Sequence, residues 1–352
     1  MSFRGGRILW ILLLPMLLGG CWDVKDINKR YLPVVMGIDQ EKTGNYKIIL
    51  QVPTVEGGTQ MLEGESASIS KAVDLIRTKA EKSVDLVHLR LFLISENMAR
   101  KGIKEVMDYA VRANDISIKS MVAIVHGDFE KTLYHQIKPT PEVSAYDYFS
   151  EESGWTPNVS INRVWEAYRS AYSYTEDFAI PLVEAGKRTL FNFSGSAIMR
   201  RDRMVGMLTP DETLINNVFQ EKYTGGTIEI TNEASVIIKK VSVRHHTDWL
   251  ATGPSLTSMV YMNVVIAENK RNRTNQEVAN DIERLLEKRS KAIFEKLGDL
   301  KADILGAGQL FRPRMSAGQL KDWKNVWFPK MKHTVTVKVN VLNNIDLKEN
   351  VK

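Results

Sequence analysis

One cysteine, Cys21, stands in a chain of 352 residues, so no internal disulfide can staple the fold. Packed apolar cores must hold it together, and a chain of this length supplies them as two or three domains. The position of that cysteine is equally informative. Arg4 and Arg7 precede the apolar run Ile8–Leu18, which gives way to Gly19-Gly20-Cys21. A basic start, a short apolar stretch and small residues before a cut point read as an export signal. At eleven residues the run falls short of the about 20 needed to cross a hydrocarbon core. Leu18-Gly19-Gly20-Cys21 fits a lipobox: an aliphatic residue, two small ones, and the cysteine whose thiol takes a diacylglyceryl group. Two acyl chains meet the two-signal requirement for stable anchoring. The expectation is a signal peptide at 1–20, lipidation at Cys21, and an exported body tethered to one leaflet. The plainer alternatives are an uncleaved anchor or an ordinary signal with a coincidental cysteine.

Loss of residues 1–20 removes two arginines and no acids, lowering the formal charge from +6 to +4. So small a surplus on so long a chain does not point to nucleic acid. It suits a protein beside an anionic membrane surface.

Along the chain, Leu32–Asp39 and Tyr46–Val52 read as a hairpin about the turn Glu41–Asn45. Glu56–Glu65, with three glycines, reads as a loop. Ser68 caps a helix with Ile69, Ala72, Val73 and Ile76 at helical spacing. Leu89–Ser95 is a buried strand, a helix follows through Ala99, Ile103, Val106 and Ala110, and Met121–Val125 is another strand. Pro139 and Pro141 interrupt this alternation. Two aromatic-rich helices are expected next, at Val143–Ser153 and Ile161–Tyr174, carrying Tyr146, Tyr148, Phe149, Trp155, Trp165, Tyr168, Tyr172 and Tyr174. A core of helices on a sheet explains them more simply than a ligand cleft.

Near residue 190 the pattern changes to a hairpin at Phe191–Leu208, a Thr209-capped helix with Pro210 and Glu212, and strands at 226–231, 234–245 and 258–268. One long helix spans about 274–297, a short helix lies near 318–326, and Thr334–Val339 is a strand. The expected fold class is α+β, several mixed α/β domains in series after the lipoprotein signal peptide. The expected divisions are an N-terminal α/β region at 21–190, with a candidate further split near 139, and a C-terminal α+β domain at 191–352.

Chemistry is sparse. His245-His246-Thr247-Asp248 is the one local cluster of metal-ligand types, and adjacent strand residues point to opposite faces. A solvated strand end is the default reading. There is no His-Glu-x-x-His, no Gly-x-Ser-x-Gly, no phosphate-binding loop and no nucleophilic cysteine. The sequence calls for no catalysis, cofactor or metal.

From Cys21 onward the chain resembles the Ger(x)C family, the C subunits of nutrient germinant receptors of endospore-forming bacteria. The resemblance is carried by Cys21-Trp22-Asp23, Val35–Asp39, His88-Leu89-Arg90, Phe193–Ala197, Met204–Thr209, Ala302–Gly306 and Trp327-Phe328. It implies a non-enzymatic lipoprotein on the outer face of the spore inner membrane, working with the A and B subunits of the germinant receptor. It supplies no nutrient-contacting residues, so Cys21 is the single site carried over. The rival readings are a solute-binding lipoprotein of an importer and a tethered enzyme. Two wound lobes of an importer protein should repeat strand–helix units in both halves, which this sequence does not.

Overall fold

The computed structural model describes residues 29–54, 58–135, 157–187, 189–221, 227–231 and 234–342. Cys21, the expected signal peptide, the Pro139–Pro141 break and the expected helix at Val143–Ser153 lie outside the described residues.

A two-residue strand β1 (Arg30–Tyr31) leads into β2 (Val35–Gln40), β3 (Tyr46–Pro53) and β4 (Thr59–Ser66), an antiparallel meander. Strand β4 takes most of the stretch expected as a loop. It is an outer strand, half covered along its length, so it lacks the apolar alternation that marks a strand packed on one face. Helix α1 (Ile69–Lys79) follows, with the Ser68 hydroxyl accepting from the Lys71 amide at 3.3 Å. Strand β5 (Ser83–Val84) pairs with β1. Then come β6 (Leu91–Ser95), helices α2 (Glu96–Lys101) and α3 (Lys104–Arg112), β7 (Met121–Val125) and α4 (Phe129–Tyr134). The single helix expected through Ala99–Ala110 is thus two, broken at Gly102-Ile103. Helix α5 (Val164–Tyr172) precedes β8 (Phe178–Ala185), β9 (Phe191–Arg200) and β10 (Arg203–Leu208).

These strands form an eight-stranded sheet in the order β10-β9-β8-β7-β6-β2-β3-β4, with β2, β6, β7 and β8 parallel. Both faces are covered. Met36, Ile38, Phe92, Ile94, Val122 and Ile124 point to the core beneath α1, α2, α3 and α5. Their neighbours Val35, Leu91, Leu93, Met121, Ala123 and Val125 meet Phe129 and Leu133 of α4 on the other side. Double burial is why these strands read as unbroken apolar runs. Each such side chain contributes roughly 1.5–3 kcal/mol of burial.

The second half begins with α6 (Pro210–Phe219), whose capping box joins Thr209 and Glu212 as expected. Strands β11 (Thr227–Thr231), β12 (Ala234–Leu250) and β13 (Gly253–Asn269) form an antiparallel unit. Helix α7 (Asn275–Leu300), α8 (Ala307–Phe311), α9 (Ala317–Asp322) and a π-helical turn (Trp323–Trp327) lead to β14 (Lys332–Val341), parallel to β13. Val278, Ile282, Leu286, Ile293 and Leu297 of α7 cover this four-stranded sheet.

The first sheet does not stop at the change of pattern near residue 190, because β9 and β10 extend it to Leu208. Alternate residues of β9 serve different cores. Ala197 and Met199 face the first, while Ile198 faces the second. A bulge sits in β9 where Leu182 opposes Gly195 and Val183 opposes Phe193. Gly195 has φ +128°, and a Cβ there would lie 2.0 Å from the Leu208 carbonyl oxygen. Gly195→Ala should therefore lower unfolding stability by about 2 kcal/mol or more, measured by chemical denaturation. An unchanged midpoint would contradict this account of the bulge.

Candidate functional site: the junction and its cleft

The two halves are pinned together by a buried charge cluster. Asp177, just before β8, and Lys324, in the π-helical turn, form an ion pair at 2.6 Å with side chains 0% and 5% exposed. The Lys324 ammonium also donates to the carbonyls of Ser173 at 2.7 Å and Glu176 at 2.8 Å, so its three donors are used. The Asp177 carboxylate accepts from the amides of Arg201 at 2.6 Å and Asp303 at 3.0 Å. In return the Asp177 amide donates to the Asp303 carbonyl at 2.8 Å.

Asp303 is the second acid, fully buried. Its carboxylate accepts from the amides of Ala307 at 2.9 Å and Gly308 at 2.7 Å and from the Trp323 indole at 2.8 Å. Gly308 is required for this fit. A Cβ there would sit 2.5 Å from the Trp323 indole nitrogen and 2.7 Å from the Thr175 carbonyl. Burial pushes the Asp303 carboxyl up to about 7, against the three N–H donors that favour its charge. Burial likewise pushes Asp177 up and Lys324 down, and their mutual attraction opposes both shifts.

Against this cluster lies a cleft of about 590 Å³ lined from both halves, with Arg169, Tyr172, Tyr174 and Glu176 on one side and Gln309 and Arg312 on the other. The Glu176 carboxylate accepts from Arg169 at 3.1 Å and Gln309 at 3.3 Å. The backbone carbonyls that Lys324 holds, Ser173 and Glu176, belong to the cleft wall. Any shift between the halves therefore reshapes the cleft. Of the aromatic residues expected as core, Tyr168 packs against the first core as expected, three others are exposed, and Tyr146, Tyr148, Phe149 and Trp155 lie outside the described residues. Helix α5 packs through Val164, Ala167 and Ser170, while Trp165, Tyr172 and Tyr174 are exposed beneath cations: Arg169 over Trp165, Lys104 over Tyr172 and Arg201 over Tyr174. The small buried residues let α5 approach the sheet closely, with Tyr168 partly tucked against the core and Trp165 and Tyr172 left outside. The cleft offers hydrogen-bonding and aromatic surface, with its one carboxylate already engaged.

The histidines fall elsewhere. His245 is not at a strand end, since β12 runs on to Leu250. A bulge between Ile238 and Lys240 moves the inward set from Val236 and Ile238 to Val241, Val243 and Trp249. His245 therefore turns inward and meets Ser258 at 3.0 Å, and Ser258 also meets His333 at 3.4 Å. His246 is exposed beside Asp248. Burial, with His245 nearby, pushes His333 down to about 3. At the carboxyl ends of the parallel strands, Glu96 is engaged by Arg100 and His126, and Asp39 by Ser95. Among the described residues no three His, Cys, Asp or Glu side chains gather to hold a metal, and no helix is long and apolar enough to cross a membrane.

Asp177, Asp303 and Lys324 are the residues that sequence reasoning missed. The available signal was an aspartate embedded in Ala302-Asp303-Ile304-Leu305-Gly306, where an acid between apolar residues marks a satisfied buried carboxylate.

The comparisons with known proteins also divide the chain in two, at a point within the first sheet. The spore germination protein N-terminal domain matches residues 23–185, and the spore germination B3/GerAC-like C-terminal domain matches residues 194–345. The chain belongs to this spore germination protein family, and its role is in germination. It is similar to the putative spore germination protein YfkR of Bacillus subtilis strain 168, at 22% identity over 93% of each chain. It is 20% identical to spore germination protein GerQC of Bacillus cereus over 95% of this chain and 98% of that one. The crystal structure of the GerBC protein shares the fold, with a TM-score of 0.59 and 16% identity over 88% of this chain and 97% of that one.

Lys324→Met leaves Asp177 buried without its cation and should cost about 3–5 kcal/mol of stability, part of which Asp177→Asn in the same chain restores. A single variant as stable as the parent would show that the cluster does not hold the halves together. Above about 6.5 His333 is neutral in both states. As pH falls toward 3 the unfolded chain takes up a proton that the folded chain does not, so this contribution to stability is lost over that window. Denaturation at neutral and at mildly acidic pH should therefore show a shallower loss in His333→Gln than in the parent; equal slopes would refute the assignment.

Proposed function

We infer that this chain is the non-enzymatic, lipid-anchored C subunit of a nutrient germinant receptor, held by Cys21 on the outer face of the spore inner membrane. It works there with the A and B subunits while the complex responds to small nutrients. The observation that carries this reading is one chain that joins both germination domains, over residues 23–185 and 194–345, directly behind a lipobox cysteine. One support comes from the site: the charged groups of the junction cluster are all engaged in holding the halves together. Such a subunit acts by contact, and the exposed rings around the cleft are suited to it, since Trp and Tyr often anchor interfaces.

Cys21→Ala should abolish acyl labelling and leave the protein unprocessed or released from the membrane. Deletion of the gene should block the response to one class of nutrient and spare germination that needs no nutrient. Normal labelling of the variant would end the anchor reading. A deletion strain defective only in solute uptake would end the receptor reading.

A further inference from the structure

The parallel strands β2, β6 and β7 begin at one edge of the first sheet, and the segments that reach that edge are knitted together by backbone hydrogen bonds. The Asp85 amide donates to the Tyr31 carbonyl, Arg90 to Val34, Met121 to Arg90, Val164 to Ser120 and Trp165 to Ile118. Ser120 adds a side-chain hydrogen bond to the Leu89 carbonyl at 2.6 Å. This edge is therefore a rigid platform. It carries three of the large exposed apolar side chains of the protein, Val87 at 55%, Ile118 at 47% and Trp165 at 36%. The edge also carries exposed basic residues, among them Lys29, Lys82, Lys119 and Arg163. Lys82 lies over the Tyr31 ring, while the acids of the platform are engaged: Asp85 by Arg30, Glu81 by the Tyr31 hydroxyl and Glu166 by the Arg163 amide. Asp85 is offset by Arg30, and Lys29, Lys82, Lys119 and Arg163 outnumber the remaining acids Glu81 and Glu166, so the surplus charge beside these apolar side chains is positive.

The same edge is where the chain enters the body. Eight residue steps separate Cys21 from Lys29, a reach of at most about 29 Å. If Cys21 is acylated, this platform is the part of the body that its tether brings nearest the lipid. Apolar and Trp side chains beside Lys and Arg are what an interfacial surface needs, the rings entering the headgroup layer and the cations meeting anionic lipid.

We propose that the platform formed by Tyr31–Val34, Glu81–Arg90, Ser117–Ser120 and Asn162–Trp165 docks on an anionic lipid bilayer and sets the orientation of the body on the membrane. This rests on the reading of Cys21 as the lipid anchor. With that thiol acylated, the full chain has no other cysteine, so a single spin label can be introduced at Ile118→Cys and, in a separate chain, at Met259→Cys on the second sheet. Each is reconstituted into vesicles of phosphatidylcholine with phosphatidylglycerol, and into phosphatidylcholine alone. The Ile118 label should lie at headgroup depth in the anionic vesicles, reached by oxygen better than by a water-soluble nickel complex, with the Met259 label in water. Lys119→Glu with Arg163→Glu should shift the Ile118 label into water while the chain stays on the vesicles. An Ile118 label that is aqueous in the anchored chain overturns the proposal. So does immersion that appears only when other spore membrane proteins are present, which would give the platform to a protein partner. Failure of the anchor reads out separately, as label on Cys21; headgroup depth at Ile118 in that chain would still uphold the platform.

Discussion

A lysine ammonium with no water to turn to fixes how the two halves of this protein meet. Lys324 comes from the turn between α9 and β14, yet its three hydrogen bonds all end on the segment Ser173–Asp177 that leads into β8. Removing a charge from water costs several kcal/mol, repaid only when geometry and hydrogen bonding are complete. The arrangement therefore tolerates one relative placement of the halves and penalises its neighbours. Asp303 strengthens the constraint, because its backbone pairs with Asp177 while its side chain organises the start of α8 and the Trp323 ring.

A second constraint acts in the same direction. The two germination domains meet between residues 185 and 194, which is the connection from β8 to β9, two strands hydrogen-bonded along their length. The boundary by sequence thus lies within one continuous sheet. Ile198 of β9 belongs to the second core while Ala197 and Met199 belong to the first. Loosening either half exposes a wall of the other. The cleft between them inherits this rigidity, since Ser173 and Glu176 line it and also hold Lys324.

Most of the elements were legible in the sequence because their signals are local. Ser68, Thr209 and the stripe of α7 announce helices through caps and 3.6-residue spacing, and the unbroken runs of β6 and β7 announce strands buried on both faces. What escaped depends on partners distant in the chain. The edge strand β4 is half covered, so it lacks alternation. The bulge after Ile238 reverses which residues of β12 face inward, and nothing near His245 in sequence reveals it. The exposed placement of Trp165 and Tyr172 follows from α5 packing through Val164, Ala167 and Ser170, a choice made by the sheet beneath. The junction cluster joins residues 147 positions apart, Asp177 and Lys324. The lipidation expected at Cys21 rests on the sequence, and Cys21 lies outside the described residues.

The outer strands bear on how such a protein meets its partners. Strand β14 lies at one margin of the second sheet, where unpaired amides would invite another chain to add as a strand. Here α7 intervenes. Glu287 accepts from the Val337 amide at 3.0 Å and Glu283 from the Val339 amide at 2.9 Å. One helical turn separates the two glutamates, and alternate residues of a strand expose their amides on the same side, so the two spacings match. The carboxylates fill the positions a partner strand would take, and they repel the carbonyls such a strand would bring. Partner recognition by strand addition at this margin is therefore opposed by the protein's own helix. Large side chains that remain in contact with solvent include Tyr172 and Tyr174 at the cleft and Val87, Ile118 and Trp165 where the chain enters the body, none of them on this margin.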